Sequence, residues 1–249
     1  MRKLASIQKI KAVMPIPDAD RLELVQVLGW KCVGGKDEFH VGDIPKTDET
    51  RIQSAPELLN EFKGLPYYIT TKMDGSSHSI GVRDGEISFT GHNFTYKDDG
   101  KSAFVEHVKA AGIPEKMKEY ADEHGLSTLV LQGEWCGEGI QKNRLKLKKP
   151  EWFVFTAKMD DKRTDLATLR EICEYVHCQM VPVEEEGDDL LAKYPDEAAL
   201  LARAEGIGFN GTTREGIVIR PIEPVHSYTL SGPLSMKVIN NKYLMKNDD

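Results

Sequence analysis

The stretch Y-I-T-T-K-M-D-G-S-S-H-S-I, residues 68–80, is the part of the sequence from which the fold is best read. Residues 65–71 are mostly aromatic and β-branched, which predicts a strand that leads into Lys72. Asp74 and Gly75 then end the strand, because both residue types tolerate the positive φ of a tight turn. The result is a lysine held at a strand end beside a carboxylate. A covalent lysine nucleophile needs such a placement, although most K-x-D-G turns are exposed hairpin corners.

The composition is that of a globular chain with one large domain, or a medium domain and a small module. Of the 249 residues, 40% are hydrophobic, and the net charge of −7 argues against coating nucleic acid by bulk charge but leaves room for a local basic groove. The four cysteines show no C-x-x-C spacing, which favours reduced thiols. With no signal peptide and no apolar run near about 20 residues, we expect a cytoplasmic protein without a membrane span.

The chain divides near Pro45. Residues 1–45 carry short β-branched runs separated by glycine turns, which predicts a small β module that cannot form a core alone. Residues 46–249 form the main domain in this interpretation. Its strand-like and helix-like stretches alternate irregularly, with a hairpin signal at Arg83-Asp84-Gly85. The predicted class is α+β, with antiparallel sheets and flanking helices.

Two glutamates stand beside glycines at the borders of apolar strands. Glu134 follows Gly133 after the run 127–132, and Glu215 precedes Gly216 and an apolar run. Glu134 is either a solvated acid in a turn or a carboxylate in a cleft that accepts hydrogen bonds from ligand hydroxyls. The sequence alone leaves both interpretations open.

A basic run covers residues 142–149. Four cations fall on even positions and two leucines on odd ones, so a strand would place the cations on one face. Such a face is either an edge strand protected by charge or a ridge that contacts phosphates. The candidates for nucleic-acid contact are Lys142, Arg144, Lys146 and Lys148.

The ordered set of these elements resembles the covalent nucleotidyltransferase superfamily of ATP-dependent ligases and capping enzymes. The resemblance is strongest to nick-sealing, ATP-dependent RNA ligases with an N-terminal OB-like module. It covers nearly the whole chain. The segments that carry the resemblance, in chain order, are Lys72-Met-Asp74-Gly75, Gly133-Glu134, Phe153-Val154-Phe155, Glu215-Gly216-Ile217-Val218-Ile219 and Ser235-Met236-Lys237.

The resemblance implies a mechanism. Lys72 would attack the α-phosphorus of ATP to form lysyl-AMP, with Mg²⁺ or Mn²⁺ as cofactor, and the AMP would pass to a 5′-phosphate that a 3′-hydroxyl then displaces. The implied partners are RNA or RNA/DNA duplex ends. The remaining roles concern the nucleotide: Glu134 and Asn93 at the ribose, Phe155 and Ile217 at the adenine, Glu215 at the lysine or metal, Asp74 and Gly75 in the lysine turn, and Lys237 and Lys242 at the phosphate.

The sequence departs from the family in two ways, and three other functions stay open. The N-terminal module is shorter than the resemblance implies, and Ile239 stands where many relatives have a second lysine, so that Lys242 is the candidate substitute. An mRNA-capping guanylyltransferase would accept GTP. A DNA ligase would carry Glu-Arg where this chain has Ser76-Ser77. A nucleic-acid-end binding protein would charge itself with AMP without sealing.

Overall fold

The computed structural model describes residues 36–39, 44, 49–92 and 94–247. The β module predicted for residues 1–45 lies almost entirely outside the described residues, and so does Asn93. The strands are β1 (Lys36–Phe39), β2 (Tyr67–Thr71), β3 (Ser76–Arg83), β4 (Glu86–Gly91), β5 (Phe94–Tyr96), β6 (Thr128–Cys136), β7 (Glu151–Met159), β8 (Lys162–Arg163), β9 (Gln179–Met180), β10 (Val183–Gly187), β11 (Gly216–Pro221), β12 (His226–Ser227), β13 (Gly232–Pro233) and β14 (Met236–Ile239).

The larger sheet has eight strands in the order β1-β5-β4-β3-β6-β7-β8, and β9 pairs with β7. Its neighbours along this path are antiparallel, whereas β9 is parallel to β7. The register between β6 and β7 shifts by one residue between Gln132 and Gly133. Gln132 pairs with Thr156 and Gly133 with Val154, so the extra residue is Phe155 of β7. Such a bulge bends a strand locally and re-aims the side chain at that position.

The smaller sheet has four antiparallel strands in the order β10-β2-β11-β14. All five residues of β2 are buried, and so are all six of β11. Strands that are covered on both faces read as continuous apolar runs, which is the pattern of the sequence before Lys72 and after Glu215. The separate hairpin β12–β13 lies outside both sheets.

Helices cover the outer faces of the sheets, and several of them begin at side-chain caps. Ser102 accepts a hydrogen bond from the Val105 amide, Asp165 from the Thr168 amide and Asp196 from the Ala199 amide, as helix starts require. The helices are α1 (Leu58–Glu61), α2 (Ala103–Ala110), α3 (Ile113–Glu123), α4 (Leu166–Tyr175), α5 (Leu190–Lys193), α6 (Glu197–Ala204) and α7 (Asn241–Asn247).

Three apolar clusters hold these layers together. One lies between the larger sheet and helices α2–α4, and a second lies between the smaller sheet and helices α1, α5 and α6. A third, small cluster of Met73, Cys136, Leu145, Phe153 and Val181 joins the two sheets. The architecture confirms the predicted α+β class with antiparallel sheets. Over the stretches that the structure describes, no helix is long and apolar enough to cross a membrane.

Candidate active site

A cavity of about 380 Å³ opens between the two sheets. Its volume falls in the range of small-molecule sites. Lys72, Glu134, Phe155 and Lys237 all line it, so the fold brings together side chains that are up to 165 positions apart in the sequence (237 − 72).

Lys72 stands directly after β2, where its amide donates to the Gly216 carbonyl at 3.1 Å. Its Nζ lies 2.5 Å from Oε1 of Glu215. Burial alone would lower the pKa of the Lys72 ammonium, but the carboxylates of Glu215, Glu134 and Asp74 outweigh that effect and raise the pKa above its ordinary value. Lys72 is therefore an ammonium at neutral pH in the ligand-free protein.

Two carboxylates face this lysine, and burial raises the pKa of each. The pKa of Glu134 reaches about 8, since desolvation and the neighbouring carboxylates of Glu215 and Asp74 outweigh the attraction of Lys72. Burial also raises the pKa of Glu215, whose Oε2 is buried without a hydrogen-bond partner. Glu134 is therefore protonated at neutral pH in the ligand-free protein, mainly because it is buried.

Asp74 does not face the cavity but anchors the lysine turn from behind. Its Oδ2 accepts a hydrogen bond from Nη1 of Arg144 at 2.8 Å and one from the Tyr243 hydroxyl at 2.6 Å. The Arg144 guanidinium also lies over the Tyr243 ring, 5.7 Å from its centroid. These contacts connect helix α7 and the basic run to the turn.

The basic run is not a strand, so the predicted strand with four cations on one face is wrong. Residues 137–150 form a succession of turns, which we call the lysine-rich loop, with positive φ at Gln141, Asn143 and Lys146. Leu145 is buried between the sheets and Arg144 turns inward to Asp74, which takes Arg144 off that predicted face. Three of the four predicted nucleic-acid contacts, Lys142, Lys146 and Lys148, remain exposed on the loop.

Phe155 and Val218 form opposite apolar walls of the cavity, where the sequence argument placed Phe155 and Ile217. Ile217 is fully buried and packs in the core on the other face of the smaller sheet. Glu215 precedes β11, so the alternation of side chains within that strand does not fix the direction of the Glu215 side chain. Val218 and Arg220 share the cavity face.

The structure places Lys237 and Lys242 in different surroundings. Lys237 lines the cavity and lies opposite Val218 in the β11–β14 register. Lys242 is on α7, is 65% exposed and pairs with Glu205 at 2.5 Å, outside the cavity lining. The structure therefore does not bring Lys242 to the lysine site, because the chain enters a helix directly after β14.

Gly75 allows the backbone of the lysine turn to approach β6 closely, and it does not adopt a positive φ. Neither Asp74 nor Gly75 has a positive φ, which corrects that part of the sequence argument. A Cβ on Gly75 would lie 2.4 Å from the Trp135 carbonyl oxygen. The lysine turn thus packs its backbone directly against β6, next to Glu134.

The end of the cavity beyond Phe155 contains a second charged group that the sequence argument missed. Glu49 and Arg220 both line the cavity, and they pair at 2.6 Å. Arg220 could have been predicted from the sequence, because residues two apart in a strand share a face, and an arginine in an apolar strand indicates that this face is polar. Glu49 had no signal, because its partners are remote in sequence. Tyr243 was missed for the same reason.

No preformed metal cage is present in the described part of the chain, where no three His, Cys, Asp or Glu side chains converge closely enough to hold an ion. The unpartnered carboxylate oxygen of Glu215 is nonetheless the hard ligand that Mg²⁺ and Mn²⁺ prefer. Mg²⁺ is commonly bound by one or two carboxylates together with waters and substrate phosphates, so these residues fit a metal that arrives with a nucleotide.

Fold and site together define a nucleotidyltransferase-type protein, with a lysine and facing carboxylates at one end of a cleft between two antiparallel sheets. The sequence model described as RNA ligase matches residues 65–239, and the chain therefore belongs to the RNA ligase family. A model described as an OB-fold domain matches residues 4–77, in agreement with the predicted OB-like module. No curated protein sequence matches the chain.

Solved structures of an RNA ligase from Naegleria gruberi are similar to this chain. The structure described with PPi is 26% identical with a TM-score of 0.72, over 91% of this chain and 67% of that one. A mutant described with ATP and Mn is 24% identical with a TM-score of 0.75, over 91% and 66%. The chain thus spans about two thirds of the length of these relatives.

Proposed function

We propose that the protein is an ATP-dependent RNA ligase in which Lys72 becomes covalently adenylated. The observation that carries the proposal is the placement of Lys72 at the end of the cavity, 2.5 Å from Glu215. The nucleotide contents of the Naegleria structures, ATP and Mn or AMP and Mn, support it by analogy.

In the first step the lone pair of Lys72 Nζ forms a bond to the α-phosphorus of ATP, and the bond from that phosphorus to the bridging oxygen breaks, so that pyrophosphate leaves. The ammonium must first lose a proton. Glu215 Oε1 is in hydrogen-bonding distance, and burial raises the pKa of this carboxyl group, which makes it the natural acceptor. Lys237 supplies a positive charge to the phosphate from the opposite strand.

The rest of the cavity fits a purine nucleoside. The base stacks on Phe155 with Val218 on its other face. Glu134, neutral below pH about 8, can both donate and accept hydrogen bonds to ribose hydroxyls. Asn93 stays a weaker candidate for the ribose. Glu215 would help to hold a divalent metal that arrives with the nucleotide, and the metal would supply charge neutralisation at the phosphates.

For the later steps, the lysine-rich loop is the surface for a nucleic-acid backbone. Its lysines at 142, 146 and 148 are exposed on a loop whose Gln141 side chain donates to the Gly75 carbonyl at 3.3 Å. The proposed substrate is a nick or end with an RNA 3′-hydroxyl. In this proposal residues 46–249 form the adenylation domain and residues 1–45 a short OB-like module, in a cytoplasmic protein.

Incubation with α-labelled ATP and Mg²⁺, followed by denaturing electrophoresis, tests the covalent step. We expect a label on the wild type that prefers ATP over GTP and that is absent in Lys72→Met. Lys242→Met is the matched control, since Lys242 lies outside the cavity, and it should label like the wild type. An unlabelled wild type, or a labelled Lys72→Met, would refute the proposal.

Sealing is tested separately on a nicked duplex with an RNA or a DNA 3′-end and a labelled 5′-phosphate. We expect joined product with the RNA 3′-end. A protein that labels itself and transfers AMP to the 5′-phosphate without joining would be the end-binding protein instead. A preference for GTP in the first assay would point to a capping guanylyltransferase.

A further inference from the structure

One carboxylate from outside the matched residues 65–239 closes the cavity beyond Phe155. Glu49 is only 11% exposed at its side chain. Its Oε1 accepts a hydrogen bond from Nη2 of Arg220 at 2.6 Å, and its Oε2 accepts one from the Ser235 hydroxyl. Glu49 thereby joins β11 to the residue before β14.

Arg220 connects Glu49 to Phe155. Its Nη1 donates to the Phe155 carbonyl at 2.8 Å, and its guanidinium carbon lies 5.7 Å from the centroid of the Phe155 ring. A planar guanidinium with fixed partners has a fixed orientation. Glu49 is thus connected to Phe155 through Arg220.

The residues next to Glu49 contact a further wall of the same cavity. The Thr50 carbonyl accepts a hydrogen bond from the Lys237 amide at 2.8 Å, and Arg51 forms an isolated parallel bridge with Lys237. Residues 49–51 thus lie along β14 as an added edge. Glu49, near the N-terminal end of the proposed adenylation domain, is thus part of the cavity wall.

We propose that Glu49 is a positioning residue for nucleotide binding, which acts through Arg220 to hold the Phe155 ring where a purine base stacks. The inference rests on the proposed function, because it assumes an adenine nucleotide in the cavity. Arg220 is four residues from Gly216, the partner of the Lys72 amide, which is roughly 13 Å along a strand. Loss of Glu49 should consequently affect nucleotide affinity and leave the chemistry at Lys72 intact.

The primary measurement is the affinity for ATP by isothermal titration calorimetry. We expect Glu49→Gln to weaken ATP binding about tenfold, as for a buried hydrogen bond to a charged group. Ser235→Ala removes one partner of Glu49 and should act in the same direction by less. Glu57→Gln, the same substitution on an exposed residue nearby, is the matched control and should bind like the wild type.

Two further readouts separate positioning from general structure. The rate of self-labelling at saturating ATP should stay within about twofold of the wild type in Glu49→Gln. In a double-mutant cycle with Phe155→Leu, Glu49→Gln should weaken binding little further, because the ring on which it acts is gone. Full additivity in the cycle, or unchanged ATP affinity in the folded variant, would overturn the inference.

Measuring ATP binding and labelling separately on the wild type distinguishes failure of the covalent step from failure of the role of Glu49. A wild type that binds ATP without becoming labelled refutes the covalent step, while the affinity of Glu49→Gln still decides the role of Glu49. A wild type that does not bind ATP overturns both. Thermal melting checks the fold, and if Glu49→Gln unfolds, unchanged affinity in Ser235→Ala would refute the inference.

Discussion

Replacing Glu134 by Gln should make the ligand-free protein more stable, and the gain should grow as the pH rises. The pKa of Glu134 is raised from 4.5 to about 8, mainly by burial. Between these values the folded protein keeps a proton that the unfolded chain has released. Stability therefore falls with rising pH across this window, and above pH 8 the carboxylate is buried as an anion. Glutamine has no such proton to lose.

The magnitude follows from the width of the window. From pH 6 to pH 8 the wild type should lose about 3 kcal/mol relative to Glu134→Gln, at about 1.4 kcal/mol per pH unit. Glu134 lines a cavity that water can enter, and this screening reduces the expected loss to roughly 1–2 kcal/mol. The free energy of unfolding at pH 6 and pH 9 is to be measured by urea titration without nucleotide or metal.

The control is Glu138→Gln, which makes the same chemical change on an exposed residue four positions away. Its free energy of unfolding should follow that of the wild type at both pH values. If wild type and Glu134→Gln lost the same stability between pH 6 and pH 9, the carboxyl would not hold its proton in the folded state. The description of the acids around Lys72 would then be wrong.

Three other outcomes test the site. Tyr243→Phe removes one hydrogen-bond donor to Asp74 and should slow self-labelling about tenfold with little change in melting temperature. Unchanged labelling would show that the contact between Tyr243 and Asp74 does not position Lys72. Because the carboxylates raise the pKa of Lys72, the labelling rate at saturating ATP should increase with pH from 6 to 9, and a flat profile would show that deprotonation does not limit it. Alanine at the three exposed lysines of the lysine-rich loop should make the log–log salt slope of duplex binding less steep by about 3, and an unchanged slope would exclude the loop from the interface.

The parts of the site that sequence could predict lie in short, local segments. Lys72, Glu134 and Glu215 each stand beside a strand with a glycine next to the acid or close to the lysine. In the structure Lys72 and Glu134 line the cavity, and Glu215 pairs with Lys72. The apolar runs of β2 and β11 were equally readable, because strands covered on both faces leave a continuous signal.

The errors came from features that only tertiary contacts decide. The alternation of charged residues and leucines over residues 142–149 fits a strand. In the structure these residues form turns, which bury Leu145 and bring Arg144 to Asp74. Ile217, which the resemblance implied for the adenine, packs in the core, and its neighbour Val218 lines the cavity, because adjacent residues of a strand point to opposite faces. Glu49 could not be found at all, since its role depends on Arg220, 171 residues away.

The glycines beside the charged residues have a consequence for redesign of the cavity. A Cβ on Gly75, Gly133 or Gly216 would meet a backbone oxygen at 2.4, 2.6 or 2.3 Å. Main chain therefore touches main chain around Lys72, and rigid peptide groups instead of adjustable side chains set the spacing of the charges. A redesign of the proposed base site should accordingly vary Phe155 and Val218 and keep the three glycines, because a Cβ at any of them would push two stretches of backbone apart.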